Sequence, residues 1–312
     1  VICGLLTYNF GWRAIFYVAI PFLILCLGLI AFKIPKEWQT YAEEKIDKTG
    51  SIIWAVGILA FVYGFTNLVN STGVFLTIFG LAVILVFIFY ELRQKSPVFN
   101  VRLFKNTKFL SSNVAALCSY LAIMVVTTIL NYHLQYVRGW NTQMTGMMLI
   151  IPPIMQAILA PNAGKLSDRH NPQVIAAIGM AIAACGLVIL SFLDGSMPIY
   201  LVVIAMALEG IGMGIFSSPN MNAIMSSVPP KDAPTASASQ ATMRTIGQTM
   251  SLGMLTLVFA WIMGDLPMLA KYADLIVQGS QMICVICTVL CIIGIFSSLI
   301  GIRSKDKFNT EG

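Results

Sequence analysis

Charge is what this sequence has least of. Asp, Glu, Lys and Arg make up 10% of its 312 residues, against about 25% in an ordinary soluble domain. With 58% hydrophobic residues beside them, the chain cannot cover a large water-facing surface, which excludes a soluble globule of this length. Histidine is scarcer still. His133 and His170 are the only two, and neither has a carboxylate or cysteine at ligand spacing, so no metal site is expected. Long polar segments are also missing. The longest run Lys33–Thr49, Glu91–Lys108 and Gly264–Gln278, and none could fold as a domain in water. No GxSxG, Walker A, HExxH or GxGxxG signature stands in a supporting context. An enzyme is therefore not expected, nor a cofactor, and the missing P-loop excludes ATP-driven transport by this chain.

The seven cysteines, at 3, 26, 118, 185, 284, 287 and 291, lie within or at the edge of apolar runs. That placement does not suit a disulfide framework. Cys284, Cys287 and Cys291 share one face of an apolar helix without a histidine or carboxylate beside them, so packing as small hydrophobes is favoured over metal or redox chemistry. The net charge of +6 would suit nucleic acid only if the basic residues gathered on one soluble face. They sit instead in short gaps between apolar runs, so no nucleic-acid partner is expected.

What is abundant is apolar sequence in runs long enough to cross a bilayer, which takes about 20 residues of helix. Eight full spans are predicted, over 12–33, 50–69, 73–92, 109–134, 143–163, 173–193, 198–221 and 279–302, with a ninth, unusually polar, over 235–263. The fold class expected is all-α, a polytopic helical bundle in a lipid bilayer. If the chain before Asn9 runs outward, fifteen of the 19 basic residues fall on one side and three, Arg13, Arg138 and Lys271, on the other, while Arg244 lies inside a span. The positive-inside rule then puts the C-terminus in the cytoplasm and the protein in the cell membrane. Because the chain begins with Val1 rather than Met, and residues 1–8 read as the end of a helix, an N-terminal truncation is expected.

Polar residues inside the spans mark helices that face a wet path, since lipid charges heavily for them. The 109–134 span carries Asn113, Tyr120, Thr127 and Asn131; the 143–163 span Gln156 and Asn162; the 198–221 span Glu209 and Asn220; and the 235–263 span Gln240, Arg244, Thr245 and Gln248. The spans at 173–193 and 279–302 are almost wholly apolar and are expected to be peripheral. Polar, polar, apolar thus occurs twice, a three-plus-three repeat of the kind found in transporter halves. Glu209 falls near the midplane, where a charge costs about 3 kcal/mol. It reads as a proton-titratable group or a counter-charge for a cationic substrate; the structural alternative is a buried pair, with Arg244 as its candidate partner. Arg244 itself suits anion recognition, a gating salt bridge or snorkelling. Gly210, Gly212 and Gly214 point to close helix packing, with sliding as the functional extension. Pro152-Pro153 predicts a kink.

Several stretches resemble the major facilitator superfamily. Gly164-Lys165-Leu166-Ser167-Asp168-Arg169 is similar to its GxLxDRxGR loop motif, departing after Arg169, where His170-Asn171-Pro172 follow. Gly11-Trp12-Arg13-Ala14-Ile15-Phe16 with Pro21 resembles the start of the sixth helix of the fourteen-helix drug:proton antiporters of EmrB/QacA type, and Cys3-Gly4 the end of their antiporter motif. Residues 96–104 are similar to a connector of that family, and Arg244-Thr245-Ile246-Gly247 to a pattern in its penultimate helix. The resemblance implies four segments: 1–33, the end of an N-terminal bundle; 34–108, two extra linking helices; 109–303, a six-helix C-terminal bundle; and 304–312, a cytoplasmic tail. It further implies proton-driven efflux of drugs or amphipathic, often cationic compounds by alternating access. The partners would be the bilayer, a small-molecule substrate and the missing N-terminal half. A transporter dedicated to one metabolite, or a non-transporting fragment, are the alternatives. Site residues expected are Glu209, Arg244, Asn113, Gln156, Asn220, Gln240 and Gln248 for the substrate or proton pathway, and Gly164, Asp168 and Arg169 in the loop motif.

Overall fold

A helix satisfies its own backbone hydrogen bonds in lipid, which an open strand cannot. Among the described residues of the computed structural model (11, 13–33, 47–94, 99–264, 266 and 269–302) every regular element is helical. The α-helices are α1 (Arg13–Lys33), α2 (Lys48–Thr66), α3 (Ser71–Glu91), α4 (Thr107–Tyr132), α5 (Thr142–Met148), α6 (Ile151–Ser167), α7 (Pro172–Leu190), α8 (Ile199–Ser226), α9 (Ala233–Met263) and α10 (Ala273–Ile302). A π-helical turn, His133–Val137, prolongs α4, and α5 with α6 forms one span. Nine stretches among these residues are thus long and apolar enough to cross a membrane, and the chain has the all-α polytopic fold expected of it.

The helix starts follow local chemistry. Asn106, Asn141 and Asn171 accept hydrogen bonds from Lys108 N (2.9 Å), Met144 N (2.8 Å) and Gln173 N (3.0 Å), capping α4, α5 and α7. The kink expected at Pro152-Pro153 takes the form of a full interruption. α5 ends at Met148 and α6 restarts at Ile151 with the prolines in its first turn, where their missing N–H groups cost nothing. The polar stretch Gly264–Gln278 is shorter than expected as a loop, because α10 already begins at Ala273.

α2 and α3 pair as an antiparallel hairpin through glycines: a side chain on Gly64 would run into the Thr77 backbone, and one on Gly80 into Phe61. The pair docks on α9. At one end the Phe65 ring fills a notch at Gly253. At the other, rings continue from Phe87 to Trp54 (4.8 Å), Phe99 (6.4 Å), Phe104 (5.8 Å) and Phe109 of α4 (5.2 Å).

In the remaining bundle α4 packs against α9, α10 and α8; α7 lies between α8 and α10; and α6 rests on α8. This corrects one expectation. The apolar span Pro172–Leu190 is 61% buried, whereas the more polar Thr142–Ser167 is 6% buried within the chain. Ala176, Gly179, Ala183 and Gly186 let α8 come close to α7, so its lack of polarity reflects small-residue packing as much as lipid contact. α10 does present a broad apolar face, with Val285, Val289, Ile292 and Phe296 exposed.

Three helices are tied at the end where α4 and α7 begin and α10 ends. Gln173 Nε2 donates to the hydroxyls of Ser111 and Ser112 (3.2 Å each), Ser298 donates to the Gln173 carbonyl (2.8 Å) and Ser297 to that of Ser111 (2.9 Å). Gln173, Ser111, Ser112 and Ser298 are all buried. Gln173→Leu, which removes the donor shared by the Ser111 and Ser112 hydroxyls and leaves Ser111 its bond to the Lys108 carbonyl (3.1 Å), is expected to lower stability by about 1–3 kcal/mol. A fall in the thermal unfolding midpoint of the detergent-solubilised protein checks this, and an unchanged midpoint refutes it.

Candidate functional site

An uncovered, largely polar surface runs along α9 within its span. Ser237, Ala241, Arg244, Thr245, Leu252 and Thr256 are exposed, and Gln248 and Thr249 half-buried, at the four- and three-residue spacing of one helix face. Thr245, Thr249 and Thr256 turn their hydroxyls back to carbonyls of the preceding turn at 2.9–3.0 Å, which satisfies them while leaving oxygen lone pairs toward the open side. Gly247 brings α4 close: a Cβ there would lie 3.0 Å from the Tyr120 Cβ. Tyr120 stands within electrostatic reach of Arg244. Thr127, exposed, and Asn131, half-buried, continue the polar surface along α4.

The other candidates divide by packing. Asn113 is buried and joins α4 to α9, accepting from Ser239 (2.8 Å) and donating to the Phe109 carbonyl (2.9 Å). Asn220 is buried in α8. Gln156 and Gln240 are half-buried; Gln156 lies against α8, its Cα 3.1 Å from where a Gly214 Cβ would sit.

Glu209 faces the bundle interior, on a buried stripe with Val202, Met206, Met213 and Phe216. It is 2% exposed, and its Oε2 has no hydrogen-bond partner. Gly186 of α7 abuts its backbone, and Cys284, Cys287 and Cys291 of α10 are within electrostatic reach. Those cysteines are buried in the core, and no group of three or more His, Cys, Asp or Glu among the described residues could hold a metal ion. Glu209 and Arg244 form no ion pair among the described residues: one is sealed between α7, α8 and α10, the other is exposed on α9.

Three glycines explain how α8 comes to be so enclosed. Gly210 and Gly214 meet Pro152 and Gln156 of α6, while Gly212 meets Gly179 and Ala183 of α7. Over this one turn α8 is a wedge that shows glycine rather than side chains to both neighbours.

In the loop motif Gly164 is half-buried in the last turns of α6, and Asp168 and Arg169 are exposed. Sequence reasoning missed Asn222, whose Nδ2 donates to Ser167 Oγ (3.1 Å), the Ser167 carbonyl (3.3 Å) and Asp168 Oδ1 (3.3 Å), latching α8 to the motif. Its only signal was a polar residue in the last turns of α8. At the opposite end buried His133 accepts from Arg138 Nε (3.2 Å), and Arg138 also donates to the Met197 carbonyl. The hydroxyl of Ser196, then the backbone N–H groups of Ser196 and Met197 and last Arg138, hold the Asp194 carboxyl below its usual range. Cys3, Gly4, Trp12, residues 34–46, Ser96-Pro97-Val98 and the 304–312 tail lie outside the described residues.

Comparison with known proteins bears on this arrangement. The riboflavin transporter RibZ of Clostridioides difficile (strain 630) is 26% identical over 307 residues, covering 98% of this chain and 67% of that protein. The multidrug resistance protein Stp of Mycobacterium tuberculosis (strain ATCC 25618 / H37Rv) is 28% identical over 273 residues, 84% of this chain and 50% of that protein. The lincomycin resistance protein LmrB of Listeria monocytogenes (serovar 1/2a, strain ATCC BAA-679 / EGD-e) is 22% identical over 250 residues, 78% and 53% of the two chains. The chain thus spans from half to two thirds of the length of these relatives. In fold it is similar to the crystal structure of a bacterial homolog of the human lysosomal transporter Spinster, in an inward-facing and occupied conformation, with a TM-score of 0.53, 15% identity, and coverage of 82% of this chain and 67% of that one. Residues 1–252 match the Major Facilitator Superfamily, and on that extent, together with the helical bundle and its polar open face, the chain belongs to this superfamily of membrane transporters.

Proposed function

We propose that the chain supplies the C-terminal bundle and linking helices of a fourteen-helix, proton-coupled exporter of amphipathic compounds, acting by alternating access in the cell membrane with its C-terminus cytoplasmic. The observation that carries this reading is the polar stripe on α9 with its continuation on α4. A helix face bearing Arg244, Thr245 and Gln248 at membrane depth is costly against lipid and suits the wall of a wet cavity. Tyr120 and Met124, half-buried and exposed on α4, add the polarisable surface that varied amphipathic substrates require. The names of Stp and LmrB support export of toxic compounds.

Glu209 is the proposed proton carrier. Sealed in the interior, it reaches water only if α8 moves, and the glycine faces of α8 provide surfaces without interlocking side chains on which it slides against α6 and α7. Protonation and the motion that exposes the cavity are thereby linked. In the complete transporter, Glu209→Gln is expected to abolish substrate-induced proton movement in inside-out vesicles while retaining substrate binding; undiminished proton movement overturns the assignment.

One observation favours a second reading. The stripe displays a cation, Arg244, and no carboxylate among its described residues, which suits an anionic or hydrogen-bond-rich metabolite better than a cation. The similarity to a protein named as a riboflavin transporter over 98% of the chain agrees with that alternative. Competition by a compound panel for the purified complete transporter distinguishes the two.

A further inference from the structure

A cavity of ≈ 210 Å³ lies away from the polar stripe, between α2, α3, the turn Val101–Lys105 and α9. All of its lining except Ser239 and Thr242 is apolar, and the ring series Phe87, Trp54, Phe99 and Phe104 forms part of its wall. Ser239 has its hydroxyl engaged with Asn113 (2.8 Å). Apart from Phe87 and Ser239, the lining residues are half-buried, so the pocket opens sideways from the hairpin. Its volume is below the roughly 300–1,000 Å³ of sites for drug-sized ligands. A slender hydrocarbon fits it better than a whole amphipathic substrate.

The rim is basic. Arg102 follows the lining residue Val101, and its Nη2 donates to the carbonyl of Leu92 (3.2 Å), one turn beyond the lining residue Ile88. Lys105 follows the lining residue Phe104, and Arg93 follows Leu92; all three cations are exposed. The turn Val101–Lys105 thus contributes Val101 and Phe104 to the pocket and carries the exposed Arg102 and Lys105 next to them in the chain. Of the nearby acids, Asp47 accepts from Gly50 N (2.9 Å) and the Tyr90 hydroxyl (3.3 Å), Asp232 accepts from Asn100 (3.5 Å), and Glu91 is buried with its carboxylate beside that of Asp47 at Gly50, so among the described residues the exposed charges on this boundary are the cations. An apolar slot with a cationic rim at a helix-end boundary is complementary to a molecule with a hydrocarbon tail and an anionic head.

We propose that this pocket holds one acyl chain of an anionic phospholipid, whose headgroup is bound by Arg93, Arg102 and Lys105. Trp54 supplies the reporter. The full chain would be placed in phosphatidylcholine nanodiscs containing a small fraction of either phosphatidylglycerol or phosphatidylcholine brominated on its acyl chains. The chain has five tryptophans, so the Trp54 signal is the difference between the native protein and Trp54→Phe. Brominated phosphatidylglycerol is expected to quench Trp54 at fractions where brominated phosphatidylcholine does not. Arg102→Gln with Lys105→Gln, both at exposed positions, is expected to raise the half-quenching fraction by about fivefold per charge removed, with circular dichroism confirming an unchanged helix content. Equal quenching by the two lipids, no quenching of Trp54, or an unchanged preference in the well-folded double variant would each overturn the proposal.

Discussion

Glu209→Lys is expected to remove nearly all folded protein from the membrane, whereas Glu209→Gln is expected to accumulate as well as the native chain. The contrast follows from enclosure. With 2% of its surface exposed, residue 209 has neither room nor an aqueous exit for a longer, cationic side chain. It lies nearly three turns in from the start of α8, which runs from Ile199 to Ser226, too deep and too enclosed for an ammonium to snorkel. A charge there costs about 3 kcal/mol on insertion scales, and overpacking adds about 1–3 kcal/mol. Together these lower the folded-to-unfolded ratio by more than about 100-fold, enough to exhaust the margin of a marginally stable membrane bundle. Gln matches the carboxyl in shape and leaves the packing with Gly186 and the α10 cysteines intact. Fluorescence-detected size exclusion of tagged variants measures this. A monodisperse, abundant Glu209→Lys peak would show that the site is open to water and that the interior placement is wrong.

How far the sequence predicted this site depends on what each residue's signal encodes. The spans were legible because length and hydropathy act along one dimension, and Pro152-Pro153 broke its helix for a reason local to the proline ring. The rotation of α8 about its own axis was not legible. A carboxylate near the midplane shows depth, but whether it faces a cavity or a neighbouring helix depends on which face each partner occupies. Here Gly210 and Gly214 take α6, Gly212 takes α7, and Glu209 is left facing α10. The same ambiguity misplaced α7, because alanine and glycine serve lipid contact and tight packing alike. Gln173 and Asn222 escaped notice since their importance lies wholly in distant partners, Ser111, Ser112 and Ser298 for one, Ser167 and Asp168 for the other. On α9 the polar residues were many, and they divide: Arg244, Thr245, Gln248, Thr249 and Thr256 follow one open face, whereas Ser239 is buried against Asn113, Ser251 is buried and Thr242 lines the pocket beside α2 and α3.

The glycines separate into two kinds that a motif does not distinguish, and substitution should expose the difference. At Gly212 a Cβ would lie 2.6 Å from the Gly179 carbonyl oxygen and 2.7 Å from the Ala183 Cβ, distances that a methyl group cannot occupy. Both obstacles belong to α7, which is itself held between α8 and α10, so the helices must separate along their length. Gly212→Val, adding a branched side chain to that contact, is expected to destabilise by about 3 kcal/mol, the upper end for overpacking, and to block any sliding of α8. Gly164, the glycine of the loop motif, is different. Its Cβ would meet the Ser218 side chain, at 3.6 Å from Cβ and 3.9 Å from Oγ, ordinary contacts, in a helix where alanine is preferred over glycine by about 1 kcal/mol. Gly164→Ala is therefore expected to unfold no earlier than the native chain. If thermal unfolding in detergent ranked the two variants in the opposite order, the wedge geometry of α8 would be refuted. If Gly212→Val folded normally and the complete transporter carrying it still cycled, a sliding role for α8 would have to be abandoned.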